Sequence, residues 1–172
     1  MQALLLSVSL AVILCYLWYA SLIKKRQSAI DSLIVLNQKI DARLLLLTQL
    51  SNVSQQYQPL DAEQTAQWQQ LHQLSAKSVW SQQIDQYLPQ VLMIWSDMDS
   101  LQKMLFSNLH GDELNEQQVN EYLQLELDYQ NASEFYNQAV TDLNQGVKMF
   151  PGSVVAKLAK GAAMPLLVVA TE

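Results

Sequence analysis

The sequence predicts an all-α protein: a transmembrane helix at 1–23 that continues into an antiparallel four-helix bundle, 24–172, closed by a short extended C-terminal tail. Three observations carry this. The stretch "MQALLLSVSLAVILCYLWYASLI" has no charged side chain, and at 1.5 Å per residue it can cross a ~30 Å hydrocarbon core. Four Gly and four Pro in 172 residues leave little material for the tight turns of a β fold. The rest of the chain repeats apolar residues at alternating steps of three and four, the period of one helix face.

Composition narrows function further. A charged fraction of 15% and a formal net charge of −6 exclude the clustered basic surface that a nucleic acid requires, so no nucleic-acid partner is expected. Cys15 is the single cysteine, so no intramolecular disulfide forms. Gln residues interspersed among apolar ones supply solvated helix faces with little charge.

Tyr16, Trp18 and Tyr19 stand near the far end of the first segment, where amphipathic rings settle at a headgroup boundary, and Lys24, Lys25 and Arg26 follow at once. The basic cluster follows the apolar run instead of preceding it, which disfavours a cleaved signal peptide. Bulky Leu14 before Cys15 disfavours a lipoprotein. Lys24, Lys25, Arg26, Lys39 and Arg43 all lie beyond the span, so the positive-inside tendency predicts a single-pass protein, N-terminus out and bundle cytoplasmic. A bundle facing the periplasm would change the partners and not the fold.

After the span, Ile30, Leu33, Asn37, Ile40, Leu44, Leu47 and Ser51 step by three and four with no Pro or Gly between, so the transmembrane helix runs on. Pro59 interrupts it, and Asp61 with Gln64 has capping-box spacing for a second helix through Trp68, Leu71, Ser75 and Val79. A third helix follows from Ser81 to about Phe106, with Pro89 kinking it or delaying its start. Gly111 breaks the chain, Asn115 with Gln118 caps the fourth helix, and its stripe runs through Val119, Tyr122, Glu126, Tyr129, Ser133, Tyr136, Val140, Leu143, Val147 and Phe150. Pro151 and Gly152 end it. Packing the four stripes together buries them all, with the tail from Pro165 lying on the bundle.

The candidate site residues are polar groups in or beside these stripes. Asn137 and Asn144, seven residues apart, flank the seam and are expected to bond a neighbouring helix and fix its register. Asn37 and Glu126 sit in core phase; a buried Glu126 needs a partner, for which Arg43 or Lys39 is suited. No second acid is expected at its level, and Asp97 and Asp99 are expected to be solvated. His72 and His110 have no second ligand at metal spacing, and no P-loop, dinucleotide fingerprint or nucleophile elbow occurs. No catalytic residue, metal or cofactor is therefore assigned, and the chain is not expected to be an enzyme.

The run "FYNQAVTDLNQGVKMFPGSVVAKL" resembles the C-terminal signature of the LemA family through Tyr136-Asn137, Val140, Asp142, Asn144, Phe150-Pro151, Ser153 and Ala156, and Glu126 stands where that family has a glutamate. "KIDARLLLLTQL" is similar to its first soluble helix through Ile40, Asp41 and Leu50. Leu46 and Leu47 replace the family's basic pair, and Ser133 and Glu134 its arginines, as in a divergent member. The resemblance implies a protein of the bacterial inner membrane with a helical cytoplasmic domain and a poorly defined biochemical role, and it makes a membrane peptidase or another envelope protein a partner to test. On this reading the chain is a protein-interaction or scaffold module. The alternative is a sensor whose span signals into the bundle. Small residues at Ser7, Ala11 and Ala20 leave homo-oligomerisation through the span open.

Overall fold

With no Pro or Gly to interrupt it and leucine-rich throughout, the N-terminal third forms one helix, α1, Gln2–Tyr57. The computed structural model describes residues 2–57, 84–108, 116–158 and 163–168, with the single positions 62 and 66. Three further helices follow: α2, Ile84–Asn108; α3, Glu116–Lys148; and α4, Gly152–Leu158. Among the described residues there are four helices and no strand. The expected second helix, the Ser81 and Asn115 caps, Gly111, and both histidines lie outside the described residues, positions 62 and 66 apart. The four described helices are therefore not the four of the expected bundle: α4 is the short helix of one or two turns that the sequence allows after Pro151.

Pro89 lies inside α2. Near the N-terminus of the helix its missing N–H forfeits a single bond, the one that the Asp85 carbonyl would accept, so the helix continues through it. Glu116 in the first turn of α3 and Lys148 in its last both complement the helix dipole.

The chain divides into two units. The first comprises Met1–Leu33 and Phe135–Leu166. In it Leu22, Val155 and Ala156 form a buried cluster, with Trp18 and Val147 packed against it. The N-terminal half of α1 is otherwise bare: one stretch, Leu5–Leu46, is long and apolar enough to cross a membrane, and its most apolar window has a mean hydropathy of 2.0 with 6% of it buried. A helix that exposes so apolar a surface does not belong to a protein core; by length and composition it fits a membrane anchor or a signal sequence.

Two glycines shape the end of this unit. Gly146 presents its bare backbone to Leu22 Cδ2, and Gly152 lies directly against the Gly146 carbonyl oxygen and beside Trp18. Between them the Phe150–Pro151 peptide is cis, and the Ser153 amide donates to the Met149 carbonyl at 2.8 Å. Phe150, expected at the end of the α3 stripe, falls beyond the helix and is exposed. The tail 163–168 is non-helical.

The second unit comprises Ile34–Glu134 and Leu167–Glu172. Its apolar interior is drawn from three helices: Leu36 and Ile40 of α1, Leu88, Trp95 and Met98 of α2, and Tyr129 of α3 are all buried.

Candidate functional site

Within the second unit the buried face of each helix is interrupted by polar side chains, and these meet. Arg43 of α1 is fully buried, 0% exposed. Its Nη2 donates to Asp99 Oδ1 of α2 at 2.7 Å and to Glu126 Oε2 of α3 at 2.7 Å. The guanidinium carbon stands 3.9 Å from the centroid of the Tyr129 ring, a cation–π contact that desolvation strengthens. Asp99 is 2% exposed and Glu126 15%.

One arginine cannot neutralise two carboxylates. Lys103, one turn after Asp99, supplies the second cation at 3.6 Å from Asp99 Oδ2, so the cluster is electrically balanced. Glu126 is held on its other side by Gln130, whose Nε2 donates to Oε1 at 2.9 Å. A second pair lies nearer the surface: Lys39 Nζ donates to Asp128 Oδ2 at 2.8 Å, and with a further bond from Gln124 it holds the Asp128 carboxyl below the usual carboxylate range.

Hydrogen bonding in the cluster is incomplete. Among the described residues, Arg43 Nε and Nη1, Asp99 Oδ2, both amide atoms of Gln102, the Tyr129 hydroxyl and Ser133 Oγ are buried without a hydrogen-bond partner of good geometry. Burial pushes the Tyr129 phenol up; the Arg43 charge and the nearby Ser133 hydroxyl oppose that shift, and the Asp99 charge adds to it. Chemically the set is suited to holding helices together more than to proton transfer, because a guanidinium does not give up its proton and both acids are charge-paired. Among the described residues no three His, Cys, Asp or Glu side chains are grouped for a cation.

The sequence-derived candidates are distributed differently from expectation. Glu126 is in the cluster with Arg43, while Lys39 serves Asp128. Asn37 is half-buried and donates to Asp41 of its own helix at 3.3 Å. Asn137 is half-buried. Asn144 bonds the tail and not a neighbouring helix: its Nδ2 donates to the Met164 carbonyl at 2.8 Å and its Oδ1 accepts from the Met164 amide at 2.9 Å. Lys25 Nζ donates to the Asp142 carbonyl at 3.2 Å; Lys24 is exposed and Arg26 half-buried.

Asp99 is the correction with most consequence. Expected in solvent, it is buried, and it is the second acid at the level of Glu126 that the sequence reading did not anticipate. Asp97, two residues earlier, is exposed. The missed signal was phase: Asp99 and Gln102 continue the spacing of Leu88, Leu92 and Trp95.

Asn144→Ala removes two hydrogen bonds and leaves the Met164 backbone groups unpaired, so it will cost about 1–3 kcal/mol. It will also make the chain after Met164 the first site cut in limited proteolysis. The wild-type tail will resist under the same conditions.

Burial raises the Tyr136 phenol well above its ordinary value near 10, and its hydroxyl donates to the Pro165 carbonyl at 2.8 Å. Between about pH 10 and the folded value the unfolded chain has lost a proton that the native chain keeps, so stability falls as pH rises through this window and is fully present below it. Near-ultraviolet absorbance should show a late tyrosinate step coincident with unfolding, and Tyr136→Phe should reduce its amplitude, leaving the part due to Tyr129, whose phenol burial also raises.

Comparison of the chain with family models, with curated proteins and with solved structures found no match in any of the three.

Proposed function

We propose that the chain is a membrane-anchored helical-bundle protein that acts by placement, presenting an interaction surface next to a bacterial inner membrane and carrying out no catalysis itself. The observation that carries this is α1: its N-terminal half exposes an apolar surface suited to lipid, and the same uninterrupted helix supplies core residues to the second unit. Pairing of α1 with α3 supports an antiparallel bundle, since Lys39 meets Asp128 while Arg43, further along α1, meets the earlier Glu126. The LemA resemblance supports the inner membrane and the N-out orientation, with Lys24, Lys25 and Arg26 at the cytoplasmic boundary.

A protein partner fits the outer face of α3. Leu123 and Leu127, one turn apart, are 52% and 55% exposed and form the kind of apolar pair that anchors a helix-face interaction. Photoreactive residues at these two positions, in cells expressing the full chain, test it. One dominant crosslinked protein, such as a membrane peptidase or another envelope component, is the expected result. Crosslinks to copies of itself and to lipid alone would contradict an interaction module.

The partly satisfied polar core favours a second reading, a transducer. A network with unused donors and acceptors has more than one way to pair, and Arg43 sits on the helix that also carries the apolar segment. Spin labels at exposed Ser100 and Glu121 would then give two distance populations whose ratio shifts with Glu126→Gln. One population, unchanged by that substitution, argues against transduction.

A further inference from the structure

We propose that the corner between α3 and α4 is a second membrane contact, an apolar wedge resting in the lipid interface beside the anchor; this rests on the anchor reading of α1. The argument lies within the first unit. Val155 and Ala156 of α4 pack with Leu22 and against Trp18, and the Gly152 backbone lies beside the Trp18 ring. These α1 residues belong to the last turns of the apolar segment, before Lys24, Lys25 and Arg26. Whatever packs beside Trp18 therefore stands at the depth where acyl chains meet headgroups.

At that depth the outward side of the corner is apolar. Met149, Phe150, Val154 and Leu158 are exposed, Phe150 by 81% and Leu158 by 82%. Large side chains so fully bared beside a water-facing surface would be a liability, whereas an interfacial segment buries such a face by about 5–10 Å into the headgroup and acyl boundary. Lys148 and Lys157, both exposed, join the basic residues of α1 in favouring anionic headgroups. The two glycines permit the arrangement, because a Cβ at Gly152 would run into the Gly146 carbonyl oxygen and push α4 off the anchor helix. The occupant is a lipid surface: both the level of the corner on α1 and the sign of the flanking charges select it over a protein.

The test uses the full chain with Cys15→Ser, reconstituted in nanodiscs of phosphatidylcholine and phosphatidylglycerol. Single spin labels are introduced through Phe150→Cys, Leu158→Cys, Val12→Cys in the anchor and Leu123→Cys on α3. Collision with oxygen, which partitions into lipid, is compared with collision with a water-soluble nickel chelate. The labels at 150 and 158 are expected to favour oxygen several-fold over the label at 123 and to lie shallower than the label at 12. If either reports water while the label at 12 reports lipid, the wedge is overturned and the anchor stands. If the label at 12 itself reports water, the anchor reading fails and the wedge with it.

Discussion

Replacing Arg43 by methionine will lower the unfolding free energy of the full chain in detergent by about 3–5 kcal/mol, read from urea denaturation followed by helical circular dichroism. The loss comes less from the attraction removed than from the charges stranded. Asp99 is buried with its Oδ1 on Arg43, and Lys103, partly solvated at 3.6 Å, cannot replace a guanidinium at 2.7 Å. Glu126 keeps Gln130 but loses its ion-pair partner, Arg43 Nη2. The converse experiment separates this from simple loss of packing. Arg43→Met combined with Asp99→Leu and Glu126→Leu removes the stranded charges and will recover stability to within about 1 kcal/mol of wild type, or exceed it. A triple variant as unstable as the single one would show that the ion cluster is not what Arg43 contributes.

Gly152→Ala is the second large effect, and Gly146→Ala is its control. A Cβ at Gly152 meets the backbone carbonyl of Gly146, which cannot move without disturbing the end of α3, and it lies 3.6 Å from Trp18. The expected cost is about 2–3 kcal/mol, the upper range for overpacking, with loss of the α4 contacts to Leu22 and Trp18. At Gly146 the nearest atom is Leu22 Cδ2 at 3.0 Å, the far end of a side chain that can turn aside. There the higher helix propensity of alanine, worth up to about 1 kcal/mol, offsets the crowding. Gly146→Ala should therefore unfold within about 1 kcal/mol of wild type. Equal and large losses at both positions would contradict the close backbone approach that places α4.

The helical class and the extent of α1 and α3 were legible because they depend on local chemistry: absent Pro and Gly, a three-four apolar rhythm, and Pro151 as a stop. The polar core was only half legible. In α1 the apolar rhythm predicts Leu33, Asn37, Ile40 and Leu44 inside, and the buried set keeps Leu33, Ile40 and Leu44 and adds Ala29, Leu36 and Arg43. That seam carries a charge in core phase: Arg43 is legible as a partner for Glu126, while its own full burial does not show in an apolar rhythm. Asp99 and Gln102 in α2 escape an apolar rhythm in the same way, while Glu126 and Ser133 in α3 stand out because they occupy core-phase positions of its stripe. A buried charge is credible only when its partner is known, and that partner lies on another helix. Asn144 shows a different limit: its amide suits any peptide group, so its spacing could not distinguish a neighbouring helix from the tail at Met164. Phe150 fits the α3 rhythm, but Pro151 ends that helix at Lys148, which frees the ring from the stripe.

Cys15 offers the most direct test of the central claim, because it is the single cysteine and lies within the apolar segment with its side chain exposed on the helix. Membranes from cells expressing the chain, opened so that both faces are accessible, would be treated with a membrane-impermeant maleimide before and after addition of detergent. A membrane anchor predicts no modification until detergent is added, then one label on a chain whose intact mass retains residues 1–172. Ready labelling without detergent, or a mature chain that has lost Cys15 with its N-terminal segment, would contradict the anchor and the placement function built on it.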